Sequence, residues 1–288
     1  MNKEIKAKIL MIIIMITFGT MAPFVRNINV SSSELALYRA LLAITLVGLF
    51  IIITKQKFDF ERIKKEMLVL LLSGAFMGIN WILLFEAYKY TTVSVATLSY
   101  YFAPVLVMII SPVIFKEKIT IKQMICFIFS TIGIVLITGT AAGGKNDFLG
   151  ILFGLGAAIL YATVTLLNKF IKGVDGIQRT FIQFISAIII LFPYVLLNEG
   201  LNFSTLTSLG WFSLLVIGVV HTGIAYCVYF SIIEDLSGQQ VALLSYIDPL
   251  VAVLVSVVVL HEPIHLIQCI GGLLILGFTL YSELPTKS

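Results

Sequence analysis

The chain has 288 residues, 59% of them hydrophobic and 12% charged, with a mean hydropathy of +1.07. Water-soluble domains carry about 45–50% apolar and about 25% charged residues, so this composition excludes a soluble fold and leaves lipid as the solvent. The net charge of +4 reads as a basic balance, but its distribution follows the membrane and calls for neither nucleic acid nor an acidic partner.

In chain order the apolar runs are 9–26, 34–54, 67–88, 92–115, 119–139, 147–171, 179–198, 210–230, 239–260 and 264–282. A helix needs roughly 20 mostly apolar residues to cross a bilayer, so each run is a candidate span. The punctuation between them is short: Lys55 to Glu66, Lys116 to Lys118, Ala142 to Asp147, Lys172 to Arg179 and Asn198 to Ser208. None could form a soluble catalytic domain. The first run follows Lys3, Lys6 and Lys8 as in a signal peptide. No small-x-small cleavage site follows, and it reads as an uncleaved first helix.

With the N-terminus inside, the inner segments hold fifteen Lys and Arg, and the outer ones hold Arg26, Lys89 and Lys145. That bias predicts ten spans with both termini cytoplasmic. The fold class is therefore all-α integral membrane, multi-pass, in the cytoplasmic (inner) membrane of a prokaryote.

An internal repeat sharpens this expectation. Val95-Ala96-Thr97-Leu98-Ser99-Tyr100 returns as Val241-Ala242-Leu243-Leu244-Ser245-Tyr246, followed by Ala103-Pro104-Val105 against Asp248-Pro249-Leu250. Glu117, Ile119 and Gln123 match Glu262, Ile264 and Gln268. In the first helices the match thins to Phe18-Gly19 against Tyr161-Ala162. Halves of five helices each, at 1–141 and 147–288, must enter the membrane from opposite sides. Such inverted repeats suit alternating access around a midplane site.

Charged or polar side chains within a span normally face the bundle interior. Asp248, about nine residues into its run, lies near the midplane beside Pro249, which removes a backbone donor. A carboxylate at a helix break can offer a proton or cation site, and its repeat mate is Ala103. His221 is also near the midplane and suits proton relay, although a lone histidine also serves as packing. Arg39 and Glu86 have matching depths near the outer ends of their helices. They read as a structural pair, as snorkelling groups, or as a site for a substrate carboxylate. Asn80, Trp81, Tyr100, Tyr101, Tyr161, Ser245 and Tyr246 could line a cavity for a small amphipathic solute or simply pack. Trp211 reads as an interface anchor. Gly74-x-x-x-Gly78 and Gly150-x-x-x-Gly154 permit close helix contact, and Pro23, Pro104, Pro112 and Pro193 mark bends. Cys126, Cys227 and Cys269 all fall in apolar runs and read as buried thiols.

Phosphate-loop, zinc-protease and nucleophile-elbow motifs are missing from the sequence. With three histidines no metal and no cofactor is expected, and the chain is not read as an enzyme. An intramembrane enzyme acting on a lipid would need a nucleophile and base, for which only His221 and Asp248 offer themselves.

The sequence resembles the drug/metabolite transporter superfamily, and within it the ten-helix EamA family of metabolite exporters. The resemblance is carried by Phe18-Gly19, Tyr38-Arg39-Ala40 and the two Val-Ala…Ser-Tyr…Pro blocks. Each block ends in an acidic turn, Lys116-Glu117-Lys118-Ile119 and His261-Glu262-Pro263-Ile264. Pro263 stands where the family often has a basic residue. The resemblance implies export of amino acids or related small metabolites, by proton exchange in some members. A drug or lipid-carrier extruder of the same fold is the alternative. The expected partners are a small-molecule solute, the bilayer and protons, and the assembly is a monomer or homodimer.

Overall fold

The computed structural model describes residues 3–56, 59–91, 96, 99–138, 147–198, 200–261 and 266–283. Within the repeated blocks, Val95, Thr97, Leu98 and the stretch Glu262-Pro263-Ile264 lie outside the described residues. Among the described residues every regular element is helical. The elements are α1 (Lys3–Gly19), α2 (Ala22–Val25), α3 (Ser32–Ile53), α4 (Phe60–Tyr90), α5 (Ala103–Phe115), α6 (Ile121–Thr138), α7 (Asp147–Phe170) and α8 (Gly176–Asn198). They continue with α9 (Ser208–Val216), a π-helical stretch Ile217–Ile224, α10 (Ala225–Ile232), α11 (Gly238–Ser245), α12 (Ile247–Leu260) and α13 (Leu266–Glu283). Seven helical stretches are long and apolar enough to cross a membrane, and three shorter apolar helices accompany them.

The surface is the reverse of a soluble protein's. Ile53, Val113 and Leu197 are 77%, 80% and 83% exposed, while Ser73, Asn80, Ser130, Asn168 and Gln183 are buried. In hydrocarbon the helices gain little by hiding apolar groups from each other, so close packing and internal hydrogen bonds hold the bundle. The centre is α4 packed between α7 and α8. Gly74 and Gly78 present their bare backbones to Gln183, Ser186 and Ala187 of α8. Asn168 donates to Ser73 at 2.9 Å, Gln183 to Asn168 at 2.8 Å, and Asn80 to the Ala157 carbonyl at 2.5 Å. Around this core α1 packs against α10, α11 and α12, α5 against α7 and α11, and α6 against α13.

The structure departs from the expected boundaries in ways with clear causes. Helix α4 runs back through the charged stretch before Met67, because Asp59 caps it by accepting from the Arg62 amide at 3.1 Å. Arg179 and Lys169, counted above as loop charges, are 1% and 9% exposed. Arg179 donates to the carbonyls of Asn168, Ile171 and Val174 at 3.0–3.1 Å, closing the C-terminus of α7, where a cation suits the exposed carbonyls. Of the three cysteines, all free, Cys126 alone is buried; Cys227 is half-buried and Cys269 exposed on α13.

Both repeated blocks break alike. The first turns at Tyr101–Phe102 before α5, and the second at Tyr246 between α11 and α12. Pro104 and Pro249 sit in the first turns that follow, where a missing amide is harmless. At the far ends, Lys116 and His261 both adopt φ near +54°, a left-handed conformation uncommon for a residue with a side chain.

Polar contacts gather at two opposite ends of the bundle. One end joins Lys3 to Asp235 (2.7 Å), Arg179 to Glu234 (3.5 Å), Glu4 to Gln240 (2.7 Å) and Glu117 to Lys169 (2.6 Å). The other joins Glu34 to the Asn202 amide (2.7 Å), Thr205 to the Asn29 carbonyl (2.8 Å) and Glu86 to Tyr194. Burial alone would raise the Glu117 carboxyl, but Lys169, Ser111 and the Gly238 amide outweigh it and hold it below its ordinary 4.5. A lowered pKa gives stability that is complete above the ordinary value and is lost as pH falls through the lowered one.

Two measurements follow. Gly74→Ala, whose new Cβ meets the Gln183 backbone, lowers the melting temperature in detergent by an amount equivalent to about 1–3 kcal/mol. Gly277→Ala, with nothing within 4 Å, leaves it unchanged; equal melting temperatures for the two would refute the packing argument. The stability gap between the native chain and Glu117→Gln is full at pH 7 and narrows only as pH drops below the ordinary carboxylate range.

Candidate functional site

Within the span-forming part of α3, Arg39 points into the bundle. Its Cζ lies 4.2 Å from the centre of the Trp81 ring on α4, a cation–π contact that holds the guanidinium without neutralising it. Its Nη1 approaches the Met21 sulfur at 3.9 Å. Its Nε is buried with no hydrogen-bond partner, and among the described residues no carboxylate forms an ion pair with it. The depth-matched Glu86 turns away to Lys89 at 2.6 Å and to the Tyr194 hydroxyl.

Aromatic rings cluster beside Arg39. Tyr226 of α10 stands edge-on to Trp81 at 6.3 Å between ring centres and to Phe184 of α8 at 5.5 Å. Phe18 of α1 lies 5.5 Å from Tyr226. Tyr229 lies 6.5 Å from it and shares its hydroxyl with Thr165 at 3.4 Å. Tyr161 of α7 bonds to Tyr229 and lies tilted against Tyr100 at 5.5 Å, and Tyr100 neighbours Tyr101 at 6.1 Å. Arg39 is in electrostatic contact with both Tyr226 and Tyr100.

Asp248 enters from the first turn of α12. No hydrogen bond or ion pair joins it to another described residue, and its electrostatic neighbour is Tyr226. Tyr226 thus lies within electrostatic reach of both the cation and the carboxylate. Gly19 makes this placement possible. A side chain there would strike Val251 and the Asp248 carbonyl, so the bare backbone lets α1 lie directly on the start of α12.

His221 is 2% exposed and belongs to the π-helical stretch, where Thr222 donates to the Ile217 carbonyl five residues back at 2.8 Å. Its Nε2 lies 3.1 Å from the Thr20 hydroxyl, its Nδ1 3.4 Å from the Val216 carbonyl, and its ring 5.4 Å from Phe24. Arg39 is within its electrostatic reach. His221 makes no hydrogen bond with Asp248 among the described residues, so no nucleophile–base pair forms here.

The remaining sequence candidates divide. Trp81, Tyr100, Tyr101 and Tyr161 join the aromatic wall. Asn80 ties α4 to α7, Ser245 donates to the Val241 carbonyl at 2.7 Å, and Tyr246 is buried with its hydroxyl 2.9 Å from Thr131. Pro104 and Pro249 follow the two helix breaks. Sequence reasoning missed Tyr226, Phe184 and Tyr229. The signal for two of them was present, since Tyr226, Tyr229 and Phe230 repeat at helical spacing.

Two stretches of equal length, residues 5–139 and 148–282, match the profile of the EamA-like transporter family. The uncharacterized transporter YxxF of Bacillus subtilis is 30% identical over 272 residues, 93% of this chain and 86% of its own. Protein PecM of Dickeya dadantii is 25% identical over 198 residues, 68% of this chain and 66% of its own. One crystal structure is similar in fold, with TM-score 0.84 at 16% identity over 96% of this chain and 97% of its own.

The unneutralised guanidinium is open to a direct test. With Trp211→Phe, Trp81 is the sole tryptophan of the two. Trp81 is 4% exposed, so neutral acrylamide quenches it more than iodide does, and Arg39→Gln lowers the iodide-to-acrylamide quenching ratio at least about threefold, as expected when a local positive potential is removed. An unchanged ratio would mean that Arg39 offers no face to an anion.

Proposed function

The chain belongs to the EamA-like transporter family, and we propose that it exports an amino acid or related small metabolite across a prokaryotic cytoplasmic membrane by proton-coupled alternating access. The observation that carries the reading is the pairing of an unneutralised Arg39 with an unpartnered Asp248 across an aromatic wall. A zwitterion fits such a site. Its carboxylate meets the guanidinium by charge-assisted hydrogen bonds, its ammonium meets Asp248, and Tyr226, Trp81 and Phe18 cover the remainder.

Coupling follows from the same geometry. Ionised Asp248 holds the ammonium; a proton arriving from outside displaces it as the solute departs, and is yielded inside on return. The gradient drives transport only because affinity differs between the two protonation states. His221, hydrogen-bonded to Thr20 and near Arg39, is assigned to the proton path.

The architecture we infer is ten spans in two inverted five-helix repeats, 1–141 and 147–288, with both termini in the cytoplasm. Supporting it are the equal-length family matches, the matched helix breaks, and the left-handed residues Lys116 and His261 at repeat-equivalent positions. Lys122 of α6 lies over the Tyr281 ring of α13 at 4.8 Å, so these last helices of each half run antiparallel. The excess of Lys and Arg assigns the end bearing Glu117 and Lys169 to the cytoplasm.

One observation favours the drug or lipid-carrier extruder instead. An apolar cavity of about 500 Å³ opens laterally between α1, α3 and α10, lined by Leu10, Leu46, Phe50, Ile224 and Val228.

Uptake of labelled amino acids into proteoliposomes, with and without an imposed pH gradient, separates the readings. One class is expected to accumulate only with the gradient. Asp248→Asn should cut gradient-driven uptake at least about tenfold while sparing solute exchange, and Arg39→Gln should raise KM by a similar factor. Full gradient dependence in Asp248→Asn would falsify the coupling scheme. No amino-acid uptake, with transport of apolar cations or carrier lipids, would favour the extruder.

A further inference from the structure

Glu117 gathers three chain segments onto one carboxylate. Its Oε1 accepts from Lys169 in the last turn of α7 at 2.6 Å. Its Oε2 accepts from the Gly238 amide at 3.0 Å and from the Ser111 hydroxyl of α5. Lys169 donates also to the Leu236 carbonyl at 2.8 Å. One ion pair therefore ties the α5–α6 turn of the first half to both α7 and the α10–α11 connection of the second.

We propose that the Glu117–Lys169 pair is a charged latch, which locks the two halves together when the cytoplasmic face is shut and parts when that face opens. This inference rests on the alternating-access reading above. Three features distinguish a latch from a permanent brace. The pair joins helix ends rather than helix sides, so the α5–α6 turn can withdraw without unpacking a span. Beside the Phe115 ring beneath Lys169 at 4.9 Å, the seam between the segments is narrow: Gly238 lies flush against Ser111, where any side chain would collide. And the pair is largely removed from water, so losing either partner leaves an uncompensated charge and tips the balance strongly toward the open face.

Repeat register supplies an independent argument. The two family matches begin at residues 5 and 148, the same offset that pairs Phe18 with Tyr161. At that offset Lys169 corresponds to Arg26, while Glu117 matches Glu262 in the slightly longer register of the acidic turns. A base and an acid therefore recur at repeat-equivalent positions, each in the register of its own block. That is the arrangement needed if each face is locked while the other is open.

The test uses the full chain in liposomes, its three cysteines replaced by serine, with spin labels at Lys118→Cys and Lys172→Cys on the cytoplasmic face. A second pair, Asn29→Cys and His261→Cys, reports the outer face. All four positions are exposed. Lys169→Met and Glu117→Gln should each raise the long-distance fraction across the cytoplasmic face at least about fivefold, the scale of shift that loss of a desolvated pair brings to a two-state equilibrium. The charge swap, Glu117→Lys with Lys169→Glu, should restore the short distance. If outer distances vary while cytoplasmic ones ignore both single substitutions, the latch is wrong and alternating access survives. If neither label pair moves in any variant or at any pH, both ideas fall. Glu117→Gln keeps the shape of the side chain, so it decides the matter should Lys169→Met not assemble.

Discussion

A charge inside a bilayer must be met by protein or by water, and this requirement organises the bundle more than any apolar contact does. Among the described residues, every charge turned into the bundle except two has an ionic partner or a hydrogen bond with nitrogen or oxygen. Arg179 is spent on three carbonyls at the end of α7. Glu34 accepts from Ser31, Tyr38 and Asn202. Lys169 and Glu117 answer each other. The helices are positioned by these bonds and by the bare backbones at Gly19, Gly74 and Gly78. The two unanswered groups, Arg39 and Asp248, both lie within electrostatic reach of Tyr226, and it is on that shared omission that the proposed solute site rests.

The binding wall takes residues from both halves of the chain. Phe18, Arg39 and Trp81 come from the first half, and Tyr226, Phe184 and Asp248 from the second. Phe18 and Tyr161, matched in the repeat, meet the same Tyr226 network from opposite sides. In the proposed reading neither half alone supplies both charges for a zwitterion, and a relative movement of the halves would change the distances between them.

Much of the fold was legible because lipid imposes a length and a composition on each span, and loop charges follow a rule. The apolar runs carry helix wherever they are described, and Asp248 and Arg39 stood out because charges there are rare. What the sequence hid was partnership. Lys169 and Arg179 counted as ordinary loop cations, since nothing in a charge count separates a solvated Lys from one inserted between carbonyls. The sequence set Arg39 and Glu86 at matching depths, but depth says nothing about azimuth, and Tyr194 and Lys89 claim the glutamate. Tyr226 was overlooked although it shares helical spacing with Tyr229 and Phe230, because an aromatic stripe in a membrane helix reads equally well as packing.

The π-helical stretch Ile217–Ile224 has a consequence for everything downstream of it. Such a stretch accommodates one residue more than an α-helix of the same height, and each residue turns an α-helix by about 100°. The azimuth of α10 is therefore set by that surplus residue. Tyr226 and Tyr229 look inward, and Cys227 and Val228 toward the lateral cavity, only in this phase. Deleting a single residue between Ile217 and Ile224 would leave the span long enough for the membrane yet rotate the aromatic stripe out of the site. The surplus residue works as a phase setting: it fixes which face of one helix the two halves share, at the level where His221 lies.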